Sequence, residues 1–161
     1  MLNLLQYSLV SLVIFLGLVI GFILAVCAKE ELKPGRKYFI LLQHIILFLI
    51  IAGFFYFNIN DFSLFLLVSI VSGFFIFYNY EKVKNFNINR PYLMYAFFAI
   101  IFYLSYKKID LFSVESSLMF IYGLPSGSLL TNAGDKMKSL LRIAYNLSFI
   151  AVALLLFAAF R

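Results

Sequence analysis

Charge is what this chain has least of. Only 12% of its 161 residues are Asp, Glu, Lys or Arg, and just seven are acidic. A soluble domain carries about 25% charged residues to cover its surface. Water alone therefore cannot be the solvent of this protein, and no part of it reads as a soluble catalytic domain. Cysteine occurs once, at Cys27, which excludes an intrachain disulfide. Histidine occurs once, at His44, so a metal site of several imidazoles is excluded too. Tryptophan is absent, which leaves tyrosine as the amphipathic ring for a membrane interface.

What fills the chain instead is apolar. The hydrophobic fraction is 65% and the mean hydropathy +1.02. Six apolar runs follow one another at about 4–27, 38–57, 62–80, 91–106, 111–130 and 139–160. A helix needs about 20 such residues to cross 30 Å of hydrocarbon, and the fourth run is the shortest. An open strand would leave its backbone groups unpaired in lipid, and the alternation of a barrel strand is missing, so each run reads as a helix. Tyr38, Tyr56, Tyr78, Tyr80, Tyr92, Tyr103 and Tyr106 stand at the run ends. The expected fold is an all-α integral membrane protein. It is a single membrane domain, a six-helix transmembrane bundle of up-and-down topology with sequential helices as antiparallel neighbours.

Orientation follows from the basic residues. Lys29, Lys33, Arg36, Lys37, Lys82, Lys84, Arg90, Lys136, Lys138 and Arg142 fall on one side of an alternating chain, and only Lys107, Lys108 and Arg161 on the other. Ten against three is a positive-inside signal that puts the N-terminus and C-terminus outside. The net charge of +6 then reads as basic loops against anionic lipid, with no nucleic acid as partner. The expected location is a cell membrane, a prokaryotic plasma membrane, crossed several times. The Leu24-Ala25-Val26-Cys27 string has the outline of a lipoprotein cleavage site, but Val26 is too large, and the first helix is expected to be retained.

Few residues could carry chemistry. Gly17, Gly21 and Ala25 share one face of the first span, where a neighbouring backbone can approach closely. Packing within the chain is the plainer reading of that face and self-association the other. Ser69 and Gly73 repeat the spacing in the third span. Glu30 and Glu31 lie in the first basic loop, beside a Pro34-Gly35 turn signal. With Asp135 they form a candidate cytoplasmic cluster for acid/base work or headgroup contact, against the plainer reading of a solvated loop. His44 lies in the second span as a relay or general base, or as a neutral group bonded to a neighbouring helix.

The fifth span is the most unusual. Glu115 is the one acid well within an apolar run, and intramembrane acids are functional candidates by default. Glu115, Met119, Tyr122 and Ser126 fall near one helical face as a candidate polar path, with Ser128 and His44 toward its inner end. Gly123-Leu-Pro-Ser-Gly-Ser128 predicts a kink, a break or the end of the helix at Pro125. Neither a Gly-x-Ser-x-Gly elbow nor a phosphate loop is present, and neither metal nor cofactor is expected.

Three functions fit this pattern. The leading one is a non-enzymatic subunit or accessory partner of a membrane assembly, whose partners are the lipid bilayer and other membrane proteins or a second copy. The second is a small oligomeric transporter or channel using Glu115 and a broken fifth helix. The third is a membrane-embedded enzyme on a lipid-linked substrate, which requires Glu30, Glu31, His44 and Asp135 to converge.

Overall fold

The computed structural model describes residues 3–58, 91–131 and 136–159. Within them the protein is helical throughout, with no strand. Its helices are α1 (Leu4–Cys27), α2 (Lys29–Phe57), α3 (Pro91–Ser105), α4 (Ile109–Leu129), α5 (Lys136–Asn146) and α6 (Ser148–Ala159). Three stretches are long and apolar enough to cross a membrane: Leu4–Cys27, Pro34–Phe57 and Ser139–Ala159. Met94–Ser105 is a shorter apolar helix. The expected third span, with Ser69 and Gly73, lies outside the described residues, as do Asn132 to Asp135.

The apolar runs become helices as the need for internal backbone pairing dictates. Their ends are set by local chemistry. Asn3 opens α1, its backbone N–H donating to Gln6 Oε1 at 3.1 Å. The α1–α2 connection differs from expectation. Only Ala28 separates the two helices, and α2 already begins at Lys29, passing through Pro34 and Gly35 where a loop is predicted. Pro34 is the sixth residue of α2, so its missing N–H leaves only the Glu30 carbonyl without its helical donor, at the polar start of the helix.

Proline behaves similarly at the far end of α4. The helix runs unbroken through Pro125 to Leu129, so the predicted break is not found there. The Leu130 N–H closes it by donating to the Ser126 and Gly127 carbonyls, each at 3.2 Å. The interruption falls instead in the last apolar run, which is expected to be continuous. Asn146 turns its Nδ2 back to the Arg142 carbonyl at 2.7 Å. At Leu147 the ladder tightens to i→i−3 bonds, Leu147 N–H to Ala144 and Ile150 N–H to Leu147. A side-chain amide competing with the backbone ladder is a recognised cause of such a step.

Helix directions follow from which residues meet. Tyr7, near the start of α1, stacks on Phe112 at the start of α4 (6.0 Å) and on Phe157 at the end of α6 (4.5 Å). Ser128, at the end of α4, bonds the Gly21 carbonyl near the end of α1. So α1 and α4 run parallel. Tyr95 and Phe98, early in α3, meet Tyr122 late in α4, whereas Phe102 meets Phe112, so α3 is antiparallel to α4. Gln43 pairs with Ser126 while the far end of α2 meets Lys108, so α2 is antiparallel to α4 as well. The start of α1 and the end of α6 therefore lie at the same end of the bundle.

The core is aromatic: Tyr7, Phe54, Tyr95, Phe98, Phe102, Phe149 and Phe157 are fully buried. At its centre is α4, which packs on α1, α2 and α3, whereas α1 and α2 barely touch despite their one-residue connection. Among the described helices the sequential pair α1 and α2 are thus not the neighbours that a short connection predicts, whereas α3 and α4 are. Backbone complementarity decides the neighbours instead. Gly17 and Gly21 of α1 face Phe120 and Leu124 of α4, while Gly123 and Gly127 of α4 face Leu18 and Phe22 of α1. A Cβ on Gly123 would lie 2.6 Å from the Leu18 nitrogen, and one on Gly21 or Gly127 would meet a facing carbonyl oxygen inside contact distance. Only glycine permits this approach, and in lipid such packing replaces the hydrophobic drive that water would supply.

Candidate functional site

Helix α4 carries Glu115, Ser126 and Ser128, three of the nine buried polar residues among those described, together with the buried Tyr122, and they divide by position. At the Ser128 end each has a partner. The Ser126 hydroxyl accepts from Gln43 Nε2 at 2.7 Å, joining α4 to α2. The Ser128 hydroxyl donates to the Gly21 carbonyl of α1 at 2.9 Å, sharing its hydrogen with Leu124 of its own helix at 3.0 Å. Tyr122 is buried one turn from Ser126, its ring 4.7 Å from Phe98 in an edge-on contact and 6.4 Å from Tyr95. Bonds of this kind between membrane helices are worth about 0.6 kcal/mol on average and up to about 1.7. These groups therefore pin α1, α2 and α3 onto one end of α4.

Toward the other end stands Glu115. Its side chain is 0% exposed, and neither carboxylate oxygen has a hydrogen-bond partner among the described residues. It faces Gly53 of α2: a Cβ built on that glycine would lie 3.3 Å from Glu115 Oε1. Gly53 thus provides the space that the carboxyl occupies. The face that the 3.6-residue period predicts is real, since Glu115, Met119, Tyr122 and Ser126 are all buried. It is filled by side chains and by the helices packed on it.

The remaining candidates lie elsewhere. His44 is exposed on α2, next to inward-facing Gln43, and its Nδ1 bonds the Ile40 carbonyl of its own helix at 2.7 Å. Because α2 begins at Lys29, Glu30 and His44 share one helix. Fourteen residues at 1.5 Å each separate their positions by about 21 Å, and Glu31 stands one residue nearer. Glu30 is exposed, and Asp135 lies outside the described residues. The acid/base cluster therefore does not form along α2. Gly17, Gly21 and Ala25 are all buried, the two glycines against α4. Beside the polar start of α2, a shallow open concavity is lined by Pro34, Arg36, Lys37, Tyr38 and Ile40, with Lys37 Nζ 5.1 Å from the Tyr38 ring centre.

Sequence reasoning missed the roles of five residues that matter. Gly123 and Gly127 repeat the Gly-x-x-x-Gly spacing of α1, a signal masked by Pro125 between them. Gln43 is a lone amide in an apolar run, and Gly53 a lone glycine in one. Lys108 also escaped: its Nζ donates to the Phe57 carbonyl at 2.9 Å and to Asn58 Oδ1 at 2.8 Å, capping the C-terminus of α2.

The described residues contain no group of three or more His, Cys, Asp or Glu that could hold a metal ion. Comparison with protein-family models, with characterised proteins and with solved structures finds no match to this chain.

Proposed function

We propose that this is a multi-pass membrane protein acting as a non-enzymatic subunit or accessory partner of a membrane assembly. The supporting observation is where its polar and apolar groups go. Ser126 and Ser128 of α4 bind it to α2 and α1, and the core between the helices is filled by aromatic rings. The outward faces of α1 and α2 instead present large apolar side chains such as Leu9, Leu12, Ile23, Phe48 and Leu49. A bundle sealed inside and apolar outside works through its surface, against lipid and neighbouring helices.

In the same proposal the chain crosses a cell membrane six times with both termini outside, as the basic residues favour. Cys27 tests the orientation, being the single cysteine and exposed at the end of α1. In sealed cells a membrane-impermeant maleimide should leave it unlabelled and should label it after lysis. Labelling of intact cells would reverse the orientation.

The subunit reading is tested by gentle extraction from native membranes and native mass spectrometry. A stoichiometric foreign partner is the expected outcome. A pure homo-oligomer would overturn the reading in favour of transport, for which the buried Glu115 is the motivating group.

A further inference from the structure

Glu115 is a buried acid to which neither the packing nor the subunit reading gives a task. We propose that it is a proton-binding site: its carboxyl sits between α4 and α2 in the space left by Gly53, holds a proton there, and exchanges it only when that contact opens. This stands apart from the subunit reading, since it concerns one side chain and is tested on the protein alone.

The neighbours of Glu115 select the ligand. An unpaired carboxylate sealed from water is strongly disfavoured, and such a group persists by pairing, by binding a cation or by remaining neutral. Pairing is not available among the described residues. No Lys, Arg or His lies in α1 or α3, and the part of α2 facing Glu115 has none. Near this end of the bundle α1 contributes Tyr7, α2 the exposed Tyr56, α3 Tyr103 and the turn after it Tyr106, none of them cationic, and Lys107 in that turn is exposed. Asp110 lies on α4 itself, five residues earlier. Lys108 is engaged at the end of α2. A metal cation fares no better. Hard cations take six or more oxygens, and the backbone opposite offers a glycine rather than a side-chain ligand. A proton needs one oxygen, and that is what the site offers.

The geometry also explains Gly53. Glycine within a helix is unfavourable relative to alanine, and here a Cβ would already press on the carboxyl oxygen at 3.3 Å, so that a larger side chain would have to displace it. An acid that had lost its role could be replaced by a leucine, and the glycine opposite would no longer be needed.

Carbodiimide labelling of the full chain in liposomes tests the proposal. A protonated carboxylic acid gives its proton to a carbodiimide nitrogen while its oxygen adds to the central carbon. The adduct then rearranges to a stable N-acylurea, and nothing is lost, so intact mass and peptide mapping read the product. The expected result is one adduct, on Glu115, formed by membrane-soluble dicyclohexylcarbodiimide and not by a water-soluble carbodiimide. It should form more slowly as pH rises from about 6 to about 9, a range in which ordinary surface carboxyls are ionised throughout. Glu115→Gln should abolish the adduct, and Gly53→Leu should sharply reduce it by displacing the carboxyl. Equal labelling by the water-soluble reagent, a rate independent of pH, an adduct only on other acids, or no adduct at all would each overturn the proposal. Unchanged labelling in Gly53→Leu would overturn the placement opposite Gly53. If either variant fails to fold, the reagent and pH comparisons on the unmodified sequence decide.

Discussion

The two ends of helix α4 use polar residues in opposite ways. From Tyr122 to Ser128 the helix lies backbone to backbone against α1, and its hydroxyls are bonded to α1 and α2. Around Glu115 the opposing element is a glycine of α2, and the buried oxygens have no partner among the described residues. Both stretches are buried and both depend on glycine, but the glycines serve different ends. At Gly123 and Gly127 the missing side chain lets helices touch, whereas at Gly53 it makes room for an acid. A satisfied polar group fixes a structure, and an unsatisfied one costs stability that some other property must justify.

Substitutions at the two ends should therefore move stability in opposite directions. The largest loss is expected from Gly127→Leu or Gly21→Leu, whose side chains would meet the backbone of the facing helix. Parting α1 from α4 should cost at least the ~3 kcal/mol of a severely overpacked core, visible as a lost or strongly lowered melting transition in detergent. An unchanged transition would mean that the close contact does not hold the bundle. Glu115→Met should have the opposite sign. Removing an unsatisfied buried acid in favour of an apolar side chain of similar length should stabilise the protein by about 1–3 kcal/mol. A large destabilisation would show that Glu115 has a structural partner, and the contrast between the two ends would fail.

A smaller effect is expected at the bonded end. A double-mutant cycle of Gln43→Ala and Ser126→Ala should give a coupling of about 0.6 to 1.7 kcal/mol, the range for hydrogen bonds between membrane helices. A coupling near zero would reduce that bond to an incidental contact. His44→Ala should change stability least, within about 0.5 kcal/mol, because the side chain is exposed and bonds only its own helix. A larger loss there would point to an undetected role for His44.

Much of this was legible in the sequence, and the reason differs from residue to residue. The extent of α1 could be read to the residue, because a run from Leu4 to Cys27 without a charge has one structural outcome in lipid. That Glu115, Met119, Tyr122 and Ser126 share one face followed from helical period alone, but that this face is buried came from the helices packed on it. Proline was the misleading signal. Pro34 and Pro125 both lie within helices, because a single lost backbone bond is outweighed at the polar start of α2 and in the tight α1–α4 contact. The step at Leu147, set by one Asn side chain turning onto the backbone, carries no proline or glycine to announce it.

The sequence by itself determined that the chain is apolar enough for a membrane and that its described apolar runs are helices, but not where each helix begins or is interrupted. Too little charge to face water and long apolar runs leave helices as the form that pairs every backbone group. It also determined which residues of α4 share a face, though not that this face turns inward. Only the tertiary structure decided which helices are neighbours. That choice rests on glycine backbones meeting across α1 and α4, helices about 100 residues apart in the chain, and chain connectivity carries no record of it. The tertiary structure likewise separated Ser126 and Ser128, whose hydroxyls found partners, from Glu115, which met a glycine. Whether a buried polar group is satisfied depends on the opposing helix, which its own sequence does not contain.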